Sequence, residues 1–309
     1  MRYTFLGPSG TFTETALLAV PGADQAQREP APSVPAALKL VRSGQADAAM
    51  VPIENSVEGG VTATLDAIAQ TPQGQVPLRI IREVLVPISF VLVAKPGTRI
   101  QDIQTISTHT HAWAQVRQWA ATTLPTVNYL PGSSTAGAAL GLLQENPGYQ
   151  AAICSPALAQ NHPELEVLAQ NIGDKKQAVT RFILVTRDLP TPAPTGQDKT
   201  TLVLPLPQDR PGALLEILQQ FATRGINLSR IESRPTGAAL GSYFFSIDID
   251  GHLQDARVQD ALRGLHRVSP GLLYLGSYPR LTGGQTQLDP IHQDPAFQAA
   301  DSWVQGLLG

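Results

Sequence analysis

The sequence predicts an α/β protein of two domains, and three observations predict it. At 309 residues the chain exceeds what one hydrophobic core ordinarily serves. Through residues 1–187, apolar strand-like runs alternate with helix-like stretches, the order that builds a largely parallel sheet with helical crossovers. Beyond a Pro-rich polar linker at residues 188–199, the order becomes strand, helix, strand, strand, helix, strand over residues 200–280, a ferredoxin-like βαββαβ unit.

The elements follow in order. Arg2–Gly7 reads as the first strand. Thr11 and Glu14 have the T-x-x-E spacing of a capping box, which starts a helix near Thr11. Ala46–Ile53 is an apolar strand that leads through a polar turn into a helix ending near Gln70. Val84–Ala94 reads as one long buried strand, Thr105–Ser107 as a short extended piece, and His111–Ala121 as an amphipathic helix. Val127–Tyr129, Ala151–Cys154 and Thr180–Thr186 are further strands, with helices at Ser133–Leu143 and just after Cys154. In the second domain, Thr200–Leu206, Ile226–Pro235, Ser242–Gly251 and Leu272–Tyr278 are the strands, and Pro211–Arg224 and Ala256–Leu265 the helices. Residues 281–309 read as a loose tail closed by an amphipathic turn or two over Ala296–Leu308. Its apolar face (Phe297, Trp303, Val304, Leu307, Leu308) is expected to dock on a domain or another subunit.

Composition narrows the functional classes. Hydrophobic residues make up 42% and charged residues 15% of the chain, which is ordinary for a folded protein and unlike a disordered one. The net charge is -3 and no basic block occurs, so neither nucleic acid nor a membrane surface is an expected partner. No apolar run approaches the ~20 residues of a membrane span, and the opening MRYTFLG lacks a signal core. With Cys154 as the only cysteine, no internal disulfide forms, which fits a cytoplasmic location. Its Ala-rich surroundings favour a small buried side chain over a nucleophile.

The segments GPSGT, ENSVEGG, THTH and GSST are polar, and the first two rich in glycine. They fall where strands lead into helices, the place at which open α/β sheets bind ligands. Several helix N-termini around one cleft would suit a small, multiply charged anion. The alternative is that polar loops stand at these junctions in any α/β domain. His109 and His111 form an H-x-H pair without carboxylates nearby in sequence, a helix-start feature rather than a metal site.

Five motifs carry a resemblance. GPSGTFTE (Gly7–Glu14), PIENSVEGGV (Pro52–Val61), TRF (Thr180–Phe182), PGALL (Pro211–Leu215) and ESRP (Glu232–Pro235) stand in the order and spacing of prephenate dehydratases. The chain resembles that family over nearly its whole length except the tail. The resemblance implies a two-lobed catalytic domain of the type II periplasmic-binding-protein kind. It also implies an ACT domain that binds phenylalanine as a feedback inhibitor, and a homodimer or homotetramer. The implied reaction removes water and carbon dioxide from prephenate to give phenylpyruvate, with no metal and no cofactor. The lobes are expected to interleave, the first over about residues 1–78 and 176–187, the second over about 79–175.

The same resemblance nominates residues. Thr180 would direct a hydrogen bond to the departing hydroxyl, being too weak an acid to protonate it alone. On a strand Phe182 shares its face and would pack on the substrate ring, while Arg181 points away and reaches a carboxylate only at a frayed strand start. Asn55 and Ser56 would supply neutral donors at a helix start. Glu58 is either a general acid in an apolar setting or a first-turn residue favoured by the helix dipole. Ser9, Gly10 and Thr11 form a candidate carboxylate cradle, or a plain strand-to-helix turn. For phenylalanine, which the resemblance places where one subunit's GAL segment meets its partner's ESRP region, the expected contacts are Gly212, Ala213, Leu214, Leu215, Asn227, Leu228, Glu232, Ser233, Arg234 and Pro235; the alternative is that these residues only form the domain and the dimer contact. The family's HPQALAQC is replaced by His109-Thr110-His111-Ala112-Trp113-Ala114-Gln115-Val116, and Ala178 stands where it carries Asn. Two rival functions are an arogenate dehydratase, whose cleft would need extra acidic side chains, and a catalytically inactive amino-acid sensor. No fused chorismate mutase is expected, since the chain opens on the first dehydratase strand.

Overall fold

Two sheets carry the first 187 residues. In chain order the elements are β1 (Arg2–Leu6), α1 (Phe12–Leu18), β2 (Gln27–Ala31), α2 (Val34–Arg42), β3 (Ala48–Asn55), β4 (Gly59–Gly60), α3 (Thr62–Ala69) and β5 (Arg79–Pro87). There follow β6 (Val91–Ala94), β7 (Thr105–Thr108), α4 (Thr110–Ala114), α5 (Arg117–Thr123), β8 (Asn128–Pro131), α6 (Thr135–Gly141), β9 (Ala151–Cys154), α7 (Pro156–Asn161), β10 (Glu166–Ala169) and β11 (Val179–Thr186). The second part holds β12 (Asp198–Pro205), α8 (Ala213–Ala222), β13 (Leu228–Pro235), β14 (Tyr243–Asp250), α9 (Ala256–Val268), β15 (Leu273–Pro279) and α10 (Asp294–Leu308).

This computed structural model describes residues 1–70, 76–206, 210–237, 241–282 and 288–308; the part of the expected loose tail at 283–287 lies outside the described residues. The chain divides into two units, Met1–Thr64 with Val84–Phe182, and Leu65–Glu83 with Ile183–Gly309. Among the described residues no helix is long and apolar enough to cross a membrane.

The first sheet has the order β2-β1-β3-β11-β5, with β4 added to β3, and the second β10-β6-β9-β7-β8. β1 runs parallel to β2 and β3, and β7 parallel to β8 and β9. The largely parallel expectation needs correction, because β6 is antiparallel to both β9 and β10. The strands by which the chain enters and leaves the second sheet are the antiparallel ones, and they need no helical crossover.

Three local expectations change for physical reasons. The run Val84–Ala94 is not one strand but the end of β5 and the whole of β6, in different sheets. Pro87 has no N–H to continue a ladder. From there the outgoing chain pairs with the returning one: Ile88 N–H donates to Ala178 O at 2.8 Å and Ile172 N–H to Phe90 O at 3.1 Å. The crossing between sheets therefore follows Pro87 rather than residue 78. The expected helix His111–Ala121 is split into α4 and α5. Asp174 accepts from Gln118 N and Trp119 N, both at 3.0 Å, and so caps α5 from a distant loop. Third, β2 and α2 occupy a stretch for which no element was expected. The polar sequence of β2 hides it, but α2 was readable: Ser33 caps it, and Val34, Ala37, Leu38 and Val41 bury one face at helical spacing.

Within the second unit, residues 198–279 follow the expected order of strand, helix, strand, strand, helix, strand. Its sheet order is β13-β14-β12-β15, antiparallel throughout. Leu202, Leu204, Ile247 and Ile249 from the sheet pack with Ile217, Phe221, Val258, Ala261 and Leu265 from α8 and α9. Arg230 is buried against Asp248 at 2.9 Å, and Lys199 against Glu83 at 2.8 Å. α10 is longer than the expected turn or two, and Trp303, Val304, Leu307 and Leu308 remain exposed on it.

Candidate active site and effector groove

A cleft of about 450 Å³ opens within the first unit, lined from both sheets. Its polar wall is made of helix starts. Thr11 caps α1, Ser33 caps α2, His109 caps α4 and Ser134 caps α6, and all four residues line the cleft. Each start brings unpaired backbone N–H groups and partial positive charge, the arrangement that stabilises carboxylates. The apolar wall includes Ile88, Phe12 and Phe90, the two rings meeting edge-to-face at 5.7 Å. The four polar junctions named from sequence thus converge. Ser33 and the two phenylalanines were not named; the N-cap before Val34 was the available signal.

Asn55 and Thr180 meet in this cleft. Asn55 Nδ2 donates to Thr180 Oγ1 at 2.8 Å, across 125 residues of chain. The amide is oriented by a group that can only donate: Val57 N–H gives its hydrogen bond to Asn55 Oδ1 at 2.8 Å. Asn55 therefore presents its NH₂ to Thr180, and the threonine oxygen accepts. The hydroxyl hydrogen of Thr180 is left to point elsewhere, so a buried neutral threonine becomes a directed donor.

The remaining nominated residues separate into those at the cleft and those behind it. Asn55 ends β3, and α3 begins only at Thr62, so Asn55, Ser56 and Glu58 are not at a helix start. Ser56 is occupied with β11: its Oγ accepts from Val179 N and its own N–H donates to Val179 O, both at 2.9 Å. It fixes the strand that carries Thr180. Glu58 Oε2 lies 2.7 Å from His111 Nδ1, and neither the first-turn reading nor a fully buried acid fits it. Thr11 lines the cleft, while Ser9 and Gly10 do not. Gly10 is buried, its N–H donating to Glu14 Oε2 at 2.6 Å and its carbonyl accepting from Ser155 Oγ at 2.7 Å. Glu14 thus reaches back to the residue before the cap, and the amide expected to cradle a carboxylate is taken. Gly10 has φ +81, and a Cβ there would collide with Leu158, so glycine is required for both conformation and packing. Arg181 and Phe182 are buried outside the cleft, Arg181 within 3.4 Å of Glu54.

His109 and His111 line the cleft. Burial, foremost, and the neighbouring His111 push the His109 imidazole below its ordinary pKa, with Glu58 opposing. His109 Nδ1 accepts the His111 N–H at 3.3 Å, so that nitrogen carries no proton. Trp113 stacks on Tyr129 with rings 4.6 Å apart and nearly parallel, and Val116 is fully buried. These two departures are packing changes. Ala178 is buried where the two crossing segments pair. Cys154 is buried, and burial pushes its thiol up to about 12.

In the second unit, Gly212, Ala213, Leu214, Leu215 and Ser233 line a groove with Leu206, Arg210, Leu218, Tyr243 and Phe245. Gly212 caps α8 with φ +85, and a Cβ there would meet nothing. Its requirement is one of backbone conformation alone. Ala213 N–H is bonded to Arg210 O at 3.1 Å, so it is not one of the groups open to a ligand. Asn227 is tied to Asp250 at 3.0 Å, with Leu228 beside it at the start of β13. Glu232 lies near Arg230, and Arg234 makes a two-point ion pair with Asp66 at 2.9 and 3.0 Å, next to Pro235. These five lie outside the groove.

Residues 3–189 match the family model described as prephenate dehydratase, and residues 201–267 that of the ACT domain. A prephenate dehydratase of Mycobacterium tuberculosis is 43% identical, over 99% of this chain and 94% of the relative. A crystal structure of prephenate dehydratase in complex with L-Phe, from Arthrobacter aurescens, is 61% identical. It covers 100% of this chain and 99% of its own, with a TM-score of 0.94. A solved structure described as a novel type of quorum quenching acylase has 29% identity and a TM-score of 0.74, covering 90% of this chain and 97% of its own.

Proposed function

Because the chain belongs to the prephenate dehydratase family, we propose that its cleft binds prephenate and converts it to phenylpyruvate. The single observation that carries this is the Asn55–Thr180 pair at 2.8 Å in the cleft. Prephenate is a dianion with a ring hydroxyl opposite a ring carboxylate. The C–C bond to that carboxylate breaks and its electron pair moves into the ring. The ring hydroxyl leaves as the aromatic sextet forms, and one proton is consumed to release it as water. Aromatisation supplies the driving force. What the protein must do is hold two carboxylates, place the ring and polarise the departing oxygen. The helix starts serve the carboxylates, Phe12 and Phe90 flank the ring, and Thr180 donates to the leaving hydroxyl. Asn55 and Ser56 position Thr180.

The cleft lining holds no Asp or Glu among the described residues. Glu58, at the rim, is engaged by His111 at 2.7 Å, so an arogenate ammonium would find no carboxylate within the lining itself, which favours the keto substrate. Residues 1–187 form the catalytic domain and residues 200–280 the regulatory domain in this reading, with phenylalanine bound in the Gly212–Leu215 groove. The protein works in the cytoplasm as a homodimer or homotetramer, the exposed apolar groove and α10 being the surfaces left to cover. The L-Phe bound to the Arthrobacter aurescens relative supports the phenylalanine reading by similarity. The test is a paired assay, with prephenate followed to phenylpyruvate and arogenate to phenylalanine, each with and without added phenylalanine. Turnover of prephenate, lowered by phenylalanine, is expected. Turnover of arogenate alone would move the assignment, and turnover of neither would leave a sensor.

A further inference from the structure

The charge balance of the cleft singles out one more residue. A site for a dianion is lined, among the described residues, by no Lys and no Arg. Only two lining side chains can carry a positive charge, His109 and His111. His109 is held neutral by its surroundings: it is half-buried, and its Nδ1 already accepts the His111 backbone N–H. His111 has the opposite setting. Its side chain is 69% exposed at the rim of the cleft, and its Nδ1 lies 2.7 Å from Glu58 Oε2, a carboxylate that is itself 29% exposed. That distance is the short contact of a charge-assisted hydrogen bond. The contact with Glu58 occupies Nδ1 and orients the ring, so that Nε2 is the nitrogen left to a ligand. Glu58 belongs to the turn after β3 and His111 to α4 after β7, so the contact joins the two walls of the cleft at its mouth.

We propose that His111, held by Glu58, is a substrate-binding residue whose Nε2 hydrogen-bonds the side-chain carboxylate of prephenate, the one that phenylpyruvate keeps, so that the ring lies between two carboxylates. The inference rests on the reading of the cleft as the prephenate site. It gives Glu58 a positioning role in place of proton donation to the leaving group. It also gives the H-x-H pair a division of labour: His109 caps α4, and His111 supplies a side-chain contact beside the backbone N–H groups of the helix starts. A contact to a carboxylate that survives through the reaction is made equally in the ground and transition states, so it acts on KM rather than on kcat.

The test is steady-state kinetics of the full chain with prephenate, comparing wild type with His111→Gln, His111→Arg and Glu58→Gln. His111→Gln is expected to raise KM about tenfold with kcat changed less than about twofold, the split expected of uniform binding. His111→Arg supplies a charged donor at the same place and should recover most of the lost affinity, which a merely structural role would not allow. Glu58→Gln should raise KM in the same sense. An unchanged KM in His111→Gln overturns the proposal. So does a large fall in kcat with KM intact in Glu58→Gln, which would instead make that carboxylate the acid. Failure of the underlying reading looks different, since wild type would then not turn over prephenate at all.

Discussion

A threonine hydroxyl is an unpromising catalytic group until its hydrogen is given a direction. Here the direction is set two bonds away: Val57 N–H fixes Asn55, and Asn55 fixes Thr180. Removing an oriented donor of this kind typically costs ~10²–10³-fold in rate. Thr180→Ala should therefore lose that much kcat while circular dichroism and prephenate binding remain. Near-wild-type turnover would refute the assignment. Thr180→Ser, which keeps the hydroxyl, should retain far more. The motif singled out Thr180 and Asn55, which the fold brings together in the cleft, but it did not show what their neighbours bond to. Ser56 and Gly10 look like ligand donors in a motif, and both are consumed by internal bonds that only folding reveals. Cys154 was legible from its Ala-rich surroundings. With its thiol pushed up to about 12 by burial, almost none is thiolate near neutral pH, and the thiolate is the reactive form. A thiol reagent should leave native protein unmodified and label it once unfolded; rapid labelling of the native chain would contradict the burial.

At the scale of elements, what periodicity could show, it showed, and what distant partners decide, it could not. The βαββαβ order was read residue range by residue range because each strand and helix there is bounded by its own local signals. The break between α4 and α5 comes from Asp174, more than fifty residues after α5 begins, so no local window contains its cause. Asp174→Ala should cost roughly 0.5–2 kcal/mol, the range for losing a cap, read as a lowered urea midpoint with an unchanged slope. No shift would mean that the break has another origin. A sharper case is Gly276, on β15, with φ +137 where the β12–β15 register slips. A Cβ there would collide with the backbone carbonyl of Ile80. Backbone cannot move aside as a flexible side chain can, so even Gly276→Ala should lower the thermal midpoint by several degrees. Gly22→Ala, at φ +76 but in open space, measures the backbone part alone. Equal losses at the two sites would show that the contact with Ile80 is unimportant.

For the whole molecule, the division into units changes how regulation should be tested. Residues Leu65–Glu83 belong with the second unit although they precede half of the first in sequence. Glu83 is buried against Lys199, and Leu78 and Ile80 are buried as well. A chain ended near Arg187 would strip these residues of their partners and expose that apolar surface. A lost response to phenylalanine in such a truncation would therefore say little. Point changes in the groove avoid the difficulty. Leu215 lines it and is exposed, so Leu215→Asp places a charge beside an apolar ligand without disturbing the core. Phenylalanine that binds only the folded form at a hundred times its dissociation constant stabilises by about 2.7 kcal/mol, which is readily seen as a rise in melting temperature. Wild type should show that rise together with inhibition, and Leu215→Asp should lose both while its turnover without phenylalanine stays near wild type. If the variant were still inhibited as strongly as wild type, phenylalanine would be acting elsewhere. The cleft would be the next candidate, and the inhibition would then be competitive with prephenate.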